Sequence, residues 1–232
     1  KNDEVIIPNN SFIATAIAVT KAGATPVFVD NDEYYLIDLL KIEKSITPKT
    51  KAIIAVNLYG QMANLVEIKK LSNKYNLHLI EDAAQSHGAK NKKNLNVGDL
   101  SKAAAYSFYP GKNLGAWGDG GIITTNSKSM HAKMLKIRNY GSTKKYVHDE
   151  MGFNSRLQPI QGIVLSKKLK KLNSWNDERR FIAEQYNNAF IENKNIQIPK
   201  TFDENLHVWH LYVIQVSKRN AFIDTLEKNN VQ

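Results

Sequence analysis

Leu77-His78-Leu79-Ile80-Glu81-Asp82-Ala83-Ala84-Gln85-Ser86-His87-Gly88 decides the fold: a short apolar run reaches a carboxylate and gives way to small and polar residues. Leu77–Ile80 is the length of a buried strand and too short for a helix. The same unit recurs on either side. Upstream lie Val5–Ile7, Pro26–Val29 and Lys51–Asn57; downstream lie Ala103–Phe108 and Gly121–Thr125. Between them, Phe12–Ala22 reads as a helix ended by Gly23. Leu65–Tyr75 reads as a lysine-studded helix with apolar residues at 65, 66, 68, 71 and 75. Short apolar strands separated by helices predict an α/β fold, an open and mostly parallel sheet with helices on both faces. Such sheets bind ligands at the carboxyl ends of their strands. Asp82 follows one strand end and Lys112 follows another.

From Leu157 the pattern changes. Leu157, Ile160, Val164, Leu165, Leu169, Leu172 and Trp175 recur at helical spacing, continuing through Phe181 to Phe190, which predicts one long helix packed on the body. Trp209–Val216 alternates as a strand does and opens a smaller C-terminal α/β domain. The expected division is 1–156, a large domain lacking its N-terminal part, and 157–232, a connecting helix with the beginning of a truncated small domain. The chain opens without Met and closes on a helical stretch, so both ends read as cut from a longer protein.

Composition narrows the class. The chain has 232 residues, enough for a real core, and no run of about 18 apolar residues that would span a membrane. Without cysteine, disulfides and thiolate metal sites are excluded, which fits a cytoplasmic protein. The net charge of +10 comes from 27 lysines and only 5 arginines, beside 25 asparagines. Readers of nucleic acid favour the bidentate arginine fork, so no nucleic-acid partner is expected, although the charge suits an anionic small molecule. Asp149 and Glu150 lack metal-ligand spacing, and no metal is expected. No Walker loop, dinucleotide glycine motif or HExxH is present.

The chemistry gathers in Ser107-Phe-Tyr-Pro-Gly-Lys112-Asn-Leu-Gly-Ala-Trp-Gly-Asp-Gly-Gly121 and in Asp82. Lys112 reads either as one of many solvated loop lysines or as a partly desolvated amine, nucleophilic toward an aldehyde. The glycine density around it favours close approach of backbone to something. Asp82 reads either as a cap for the next helix or as the partner of a ring nitrogen. Gln85, one helical turn on, would share its side. Ser107 is a small donor, and Phe12, ordinarily a core residue, could stack on a ring. His87 reads as structural, and Asn154 and Arg156 as an ordinary cap. An amine, a carboxylate and a hydroxyl in this arrangement are what pyridoxal phosphate requires.

Pro8-Asn-Asn-Ser-Phe-Ile-Ala-Thr15, Gly23-Ala-Thr-Pro-Val-Phe-Val-Asp30, Leu58-Tyr-Gly60, Glu81-Asp-Ala-Ala-Gln85, the Ser107–Gly121 run, Arg138-Asn-Tyr-Gly141 and Gly152-Phe-Asn-Ser-Arg-Leu157 occur in the order found in one family. The chain resembles the DegT/StrS sugar aminotransferases, which have the fold of type I pyridoxal-phosphate enzymes. The resemblance implies that Lys112 carries the cofactor and shuttles protons, that Asp82 faces the pyridine nitrogen and Gln85 the ring oxygen, and that Ser107 binds the phosphate. It places Phe12 against the ring and Asn154 at the phosphate of a neighbouring subunit, hence a homodimer with shared active sites. The family pattern begins before residue 1, with a glycine- and threonine-containing phosphate cup, and continues past Gln232.

The implied reaction moves an amino group, from glutamate by family analogy, to the ketone of a nucleotide-linked sugar. Asn154-Ser-Arg-Leu157 resembles enzymes that aminate C-3 of a deoxyhexose, and the products would serve lipopolysaccharide, S-layer or antibiotic sugars. Two rivals share the fold. A pyridoxamine-dependent sugar dehydratase would carry histidine at position 112, so Lys112 argues against it. A non-catalytic regulator or sensor would survive replacement of Lys112. A third rival, a plain α/β module binding an anion, would take up no cofactor.

Overall fold

The computed structural model describes residues 2–203 and 205–231. Along the chain come β1 (Glu4–Pro8), β2 (Thr25–Val29), β3 (Thr50–Val56), β4 (His78–Asp82), the short β5 (Lys90–Asn91), β6 (Ala103–Ser107) and β7 (Gly121–Thr124). The central sheet has six strands in the order β2-β1-β3-β4-β6-β7. Its first five strands are parallel and β7 runs antiparallel to β6 at the edge. Ala52 and Ile53 are adjacent on β3 and both buried, as are Ala55 and Val56. Side chains alternate between faces, so both faces of the sheet are covered, which is why these strands read as unbroken apolar runs.

The helices are α1 (Ala14–Lys21), α2 (Leu39–Lys44), α3 (Leu65–Lys74), α4 (Lys128–Arg138), α5 (Pro159–Leu169), α6 (Leu172–Phe190) and α7 (Arg219–Lys228). The side chains of Asp38, Asn64 and Ser127 cap α2, α3 and α4, and Pro159 opens α5, where its missing N–H costs nothing. The main core joins Ile42 of α2 and Ile68 of α3 to Ile6, Ile53 and Leu79 of the sheet. A second cluster packs Phe108, Leu114 and Ala116 against Leu165 of α5 and Leu172 of α6. Each buried leucine there contributes about 1.5–3 kcal/mol, and together they seat the loop after β6 on the two helices.

Three expectations change. The single long helix is two, α5 and α6. The joint falls among Lys167, Lys168, Lys170 and Lys171, whose i,i+3 and i,i+4 pairings repel. There, Lys171 N–H bonds three residues back to Lys168 O at 2.8 Å. Trp209–Val216 is not one strand. Only β12 (Gln215–Val216) is extended, pairing with β10 (Ile196–Gln197) after the small β8 (Ser142–Lys144) and β9 (Val147–His148). Trp209 has φ +44°, which breaks the strand, while Val208 and His210 donate to Gly60 O and Tyr59 O at 2.8 Å each. Just before them, β11 (Asn205–Leu206) pairs with β5. Finally, α1 starts at Ala14, leaving Phe12 in the preceding turn. Among the described residues no helix is long and apolar enough to cross a membrane.

Candidate functional site

Because β1, β3, β4 and β6 are parallel, their carboxyl ends share one edge, and the predicted residues fall there. Phe12 follows β1, Asp82 ends β4 with Gln85 just beyond it, and Ser107 ends β6 with Lys112 on the loop after it.

Asp82 is fixed rather than free. Its Oδ2 accepts the hydroxyl hydrogen of Thr15, buried on α1, at 2.7 Å, and its Oδ1 accepts from Ala84 N at 3.1 Å. An ionised carboxylate offers about four acceptor positions, so capacity remains for a third donor. The Asp82 carboxylate caps no helix: residues 83–88 form successive turns, with Ser86 N–H on Ala83 O at 3.1 Å and Ala89 N–H on Ser86 O at 3.0 Å. The expected helical turn between Asp82 and Gln85 is therefore absent. Gln85 is instead aimed by the backbone, its Oε1 accepting from Tyr59 N at 2.6 Å. Tyr59 sits at φ +58°, and the bond leaves the Gln85 amide hydrogens without a protein acceptor among the described residues.

The loop carrying Lys112 is closed tightly. Ala116 N–H bonds Phe108 O at 2.8 Å and Lys112 N–H bonds Tyr109 O at 2.9 Å. A Cβ on Gly115 would lie 2.2 Å from Pro110 O, so only glycine fits. From α5, Lys168 Nζ donates to Gly115 O at 2.7 Å and Gln161 Oε1 accepts from Trp117 N at 2.8 Å. Lys112 Nζ makes no ion pair or hydrogen bond among the described residues. Burial holds its pKa below the ordinary lysine value, opposed by the negative charge of Asp82. Ser107 Oγ accepts from Tyr109 N at 3.2 Å, leaving the hydroxyl hydrogen to donate.

His87 is 3% exposed, and neither ring nitrogen has a hydrogen-bond partner among the described residues. It packs between Tyr106 and Phe108. Burial pushes its pKa down to about 4, with a contact to the Ser107 backbone opposing and the charge of Lys112 assisting. That burial favours the neutral ring.

Phe12 is 71% exposed, so it is no core residue, and its ring is available at the sheet edge. Asn154 stands apart. It is exposed, bridges Asn139 beyond the end of α4, and lies beside Arg156, whose Nη1 donates to Asn139 Oδ1 at 2.6 Å. The structure therefore brings Lys112, Asp82, Gln85 and Ser107 to one edge, with Phe12 in the turn beside them, and ties Asn154 elsewhere. Sequence reasoning missed Thr15, Tyr59 and the buried Glu81. Thr15 closes the Pro8–Thr15 motif, and that place in the motif is the signal that was available.

An amine of lowered pKa, a fixed carboxylate, an outward-facing amide donor and a hydroxyl donor fit the aldehyde, ring nitrogen, ring oxygen and phosphate of pyridoxal phosphate. The comparisons agree in kind. The family model of the DegT/DnrJ/EryC1/StrS aminotransferase family matches residues 1–232, and the chain belongs to that family. It is 50% identical over 232 residues to the dTDP-3-amino-3,6-dideoxy-alpha-D-galactopyranose transaminase of Aneurinibacillus thermoaerophilus, covering 99% of this chain and 63% of that protein. It is 44% identical to a pleiotropic regulatory protein of Geobacillus stearothermophilus, covering 99% and 62%. The crystal structure of S. venezuelae DesV in complex with a ketimine intermediate superposes with a TM-score of 0.96 at 40% identity, covering 99% and 62%. The chain thus spans a little over 60% of the length of these relatives.

Proposed function

We propose that this chain supplies the cofactor site of a pyridoxal-phosphate-dependent aminotransferase that converts a nucleotide-linked keto sugar to an amino sugar. The observation that carries the reading is the meeting, on one sheet edge, of a partly buried lysine amine and a carboxylate already oriented by Thr15. When bound, the cofactor supplies an aldehyde for an amine and a protonated ring that accepts the electron pair of a broken C–H bond. Asp82 would keep the ring nitrogen protonated, in a charge-assisted bond of about 1.5–3 kcal/mol. Gln85 Nε2 would donate to the ring oxygen and Ser107 Oγ–H to the phosphate. Lys112 Nζ, its pKa lowered by burial, is neutral more often than a surface lysine and moves the proton at the reacting carbon.

Amination at C-3 is supported by the name of the 50% identical relative, and glutamate as donor by family analogy. A homodimer is supported by the large apolar side chains left exposed, among them Phe12, Ile13 and Trp117 on the loops of the site and Ile160 and Ile163 on α5, and it would bring Asn154 of one copy to the other's phosphate. Residues 1–156 form the cofactor-binding part, braced by α5 and α6 of the part from 157 onward. With no cysteine to oxidise, the cytoplasm is the proposed compartment. A regulator that keeps the fold is the second reading, favoured by the name of the Geobacillus relative.

The test is borohydride reduction in the presence of pyridoxal phosphate, with peptide mapping by mass spectrometry, on this chain and on the chain extended to the length of its relatives. A phosphopyridoxyl group confined to Lys112 is expected. Labels scattered over surface lysines in the extended chain would overturn the reading. Lys112→Ala must abolish sugar amination; regulation that persists without Lys112, in a protein that aminates nothing, would favour the second reading.

A further inference from the structure

Asn113, the residue after Lys112, is 5% exposed, and each polar atom of its side chain is bonded. Its Nδ2 donates to Asn176 Oδ1 and to Val208 O, both at 2.9 Å. Its Oδ1 faces His210 Nδ1 at 3.1 Å. The Val208 carbonyl can only accept, so the amide cannot be turned round, and the hydrogen between Asn113 and His210 must sit on His210 Nδ1. That fixes the histidine tautomer. Burial pushes the pKa of His210 down to about 4, assisted by the positive charge of Lys112 and Arg179 and by His87. The ring is therefore neutral at working pH and adds no charge beside the lysine.

The backbone of the same residue reaches the other side of the site. His210 N–H donates to Tyr59 O at 2.8 Å, and Tyr59 N–H is the donor that aims Gln85. Arg179 Nη1 holds the neighbouring Trp209 O at 3.2 Å, which steadies the segment from α6. One residue from the C-terminal part of the chain thus ties the lysine loop to the glutamine arm.

We infer that His210 is a positioning residue for Lys112, fixing through its bond to Asn113 the backbone from which the amine projects. The catalytic consequence rests on the transamination reading; the geometric one does not. Two variants separate a hydrogen-bond role from packing. His210→Phe keeps the ring and loses the donor, whereas His210→Asn places an amide N–H where Nδ1 stood. The first readout is the pH dependence of Lys112 labelling by an amine reagent in the cofactor-free protein, followed by mass spectrometry, with exposed Lys51 as internal reference. The second is the kcat and KM of sugar amination by the chain extended to the length of its relatives.

In His210→Phe the Lys112 midpoint rises by about one pH unit as the loop loosens and water enters. Amination slows by about 10–100-fold in kcat through misplacement of the amine, with the sugar KM changed less than about threefold. His210→Asn restores both. An unchanged midpoint and kcat in His210→Phe overturn the inference, as does equal impairment of the two variants. Should His210→Phe fail to fold, Asn113→Ser breaks the same bond from the other side and must raise the midpoint likewise. If the wild-type protein aminates no sugar while the labelling shift persists, the functional reading fails and this inference stands.

Discussion

Glu81, immediately before Asp82, is fully buried and poses a question of sign. Its Oε1 accepts from Gly98 N at 2.9 Å and Ser101 Oγ at 2.7 Å, and its Oε2 from Asn57 Nδ2 at 3.0 Å. Three donors favour the ionised form and burial opposes it; burial is the larger effect, and the pKa is raised above the ordinary 4.5. Consider Glu81→Gln. Its amide nitrogen must face either Gly98 N–H or Asn57 Nδ2. Asn57 cannot turn, because its Oδ1 already accepts from Ala63 N at 2.9 Å. One buried donor is stranded either way, at a cost of about 1–3 kcal/mol.

That full gap from wild type holds below pH 4.5, where glutamate is protonated in both folded and unfolded chains. A raised native pKa means that the folded state binds the proton more tightly than the unfolded one. Wild-type stability from this group is therefore lost as pH rises from 4.5 through the raised value. The gap between wild type and Glu81→Gln shrinks across that window, at a rate of about 1.4 kcal/mol per pH unit. Urea denaturation of both proteins at pH 4.5 and pH 7 reads it directly. With a denaturant slope of about 3 kcal/mol/M, the acid gap is about 0.3–1 M in midpoint. A gap that widens toward neutral pH would show that the three donors outweigh burial, and the account of Glu81 would be wrong.

The same contacts set other outcomes. Thr15→Val removes the hydroxyl on Asp82 and should weaken pyridoxal phosphate binding by about tenfold or more, whereas Thr15→Ser should not; absorbance titration decides between them. His87, His207 and His210 are held down to about 4, 3 and 4, chiefly by burial. The unfolded chain then binds more protons, so stability should fall as pH drops below 6.5, by up to about 1.4 kcal/mol per pH unit for each histidine. His207→Phe, which keeps the stack on Trp209, should flatten that slope, and an unchanged slope refutes the assignment. A Cβ on Gly141, at φ +70°, would lie 1.6 Å from Glu150 O, so Gly141→Ala should lower stability by more than about 1 kcal/mol in urea titration.

The sheet was legible because its strands are buried on both faces and so appear as continuous apolar runs between turn residues. Helix α3 was legible from its buried stripe of Leu65, Ile68 and Leu71. The six-residue α2 is too short to show a period, and α4 buries no residue at all, so its lysine-rich sequence carries no stripe. Asp82 and Lys112 stood out by residue type and neighbours. Their supports did not: Thr15 lies 67 residues from Asp82, Tyr59 lies 26 from Gln85, and His210 lies 97 from Asn113. No local pattern encodes a pair at such distances; the parallel sheet brings Thr15 to Asp82 and Tyr59 to Gln85, and the packing of 208–210 on Tyr59 and Gly60 brings His210 to Asn113.

Those supports share a logic. Asp82 spends part of its acceptor capacity on Thr15 and Ala84, Gln85 spends its oxygen on Tyr59, and Ser107 spends a lone pair on the backbone of Tyr109, each keeping another bonding position open. A neutral bond of this sort adds only about 0.5–1.5 kcal/mol to stability, so stability alone is a weak reason for it. Freezing a mobile side chain on binding costs about 0.5–1.5 kcal/mol each, and here that ordering is already met in the folded chain. Lys112 is the exception: its backbone is clamped from both sides while its amine is tied to nothing among the described residues. On the proposed reading, a fixed set of donors and acceptors around one unattached amine would hold a ligand still while leaving the amine free to move a proton.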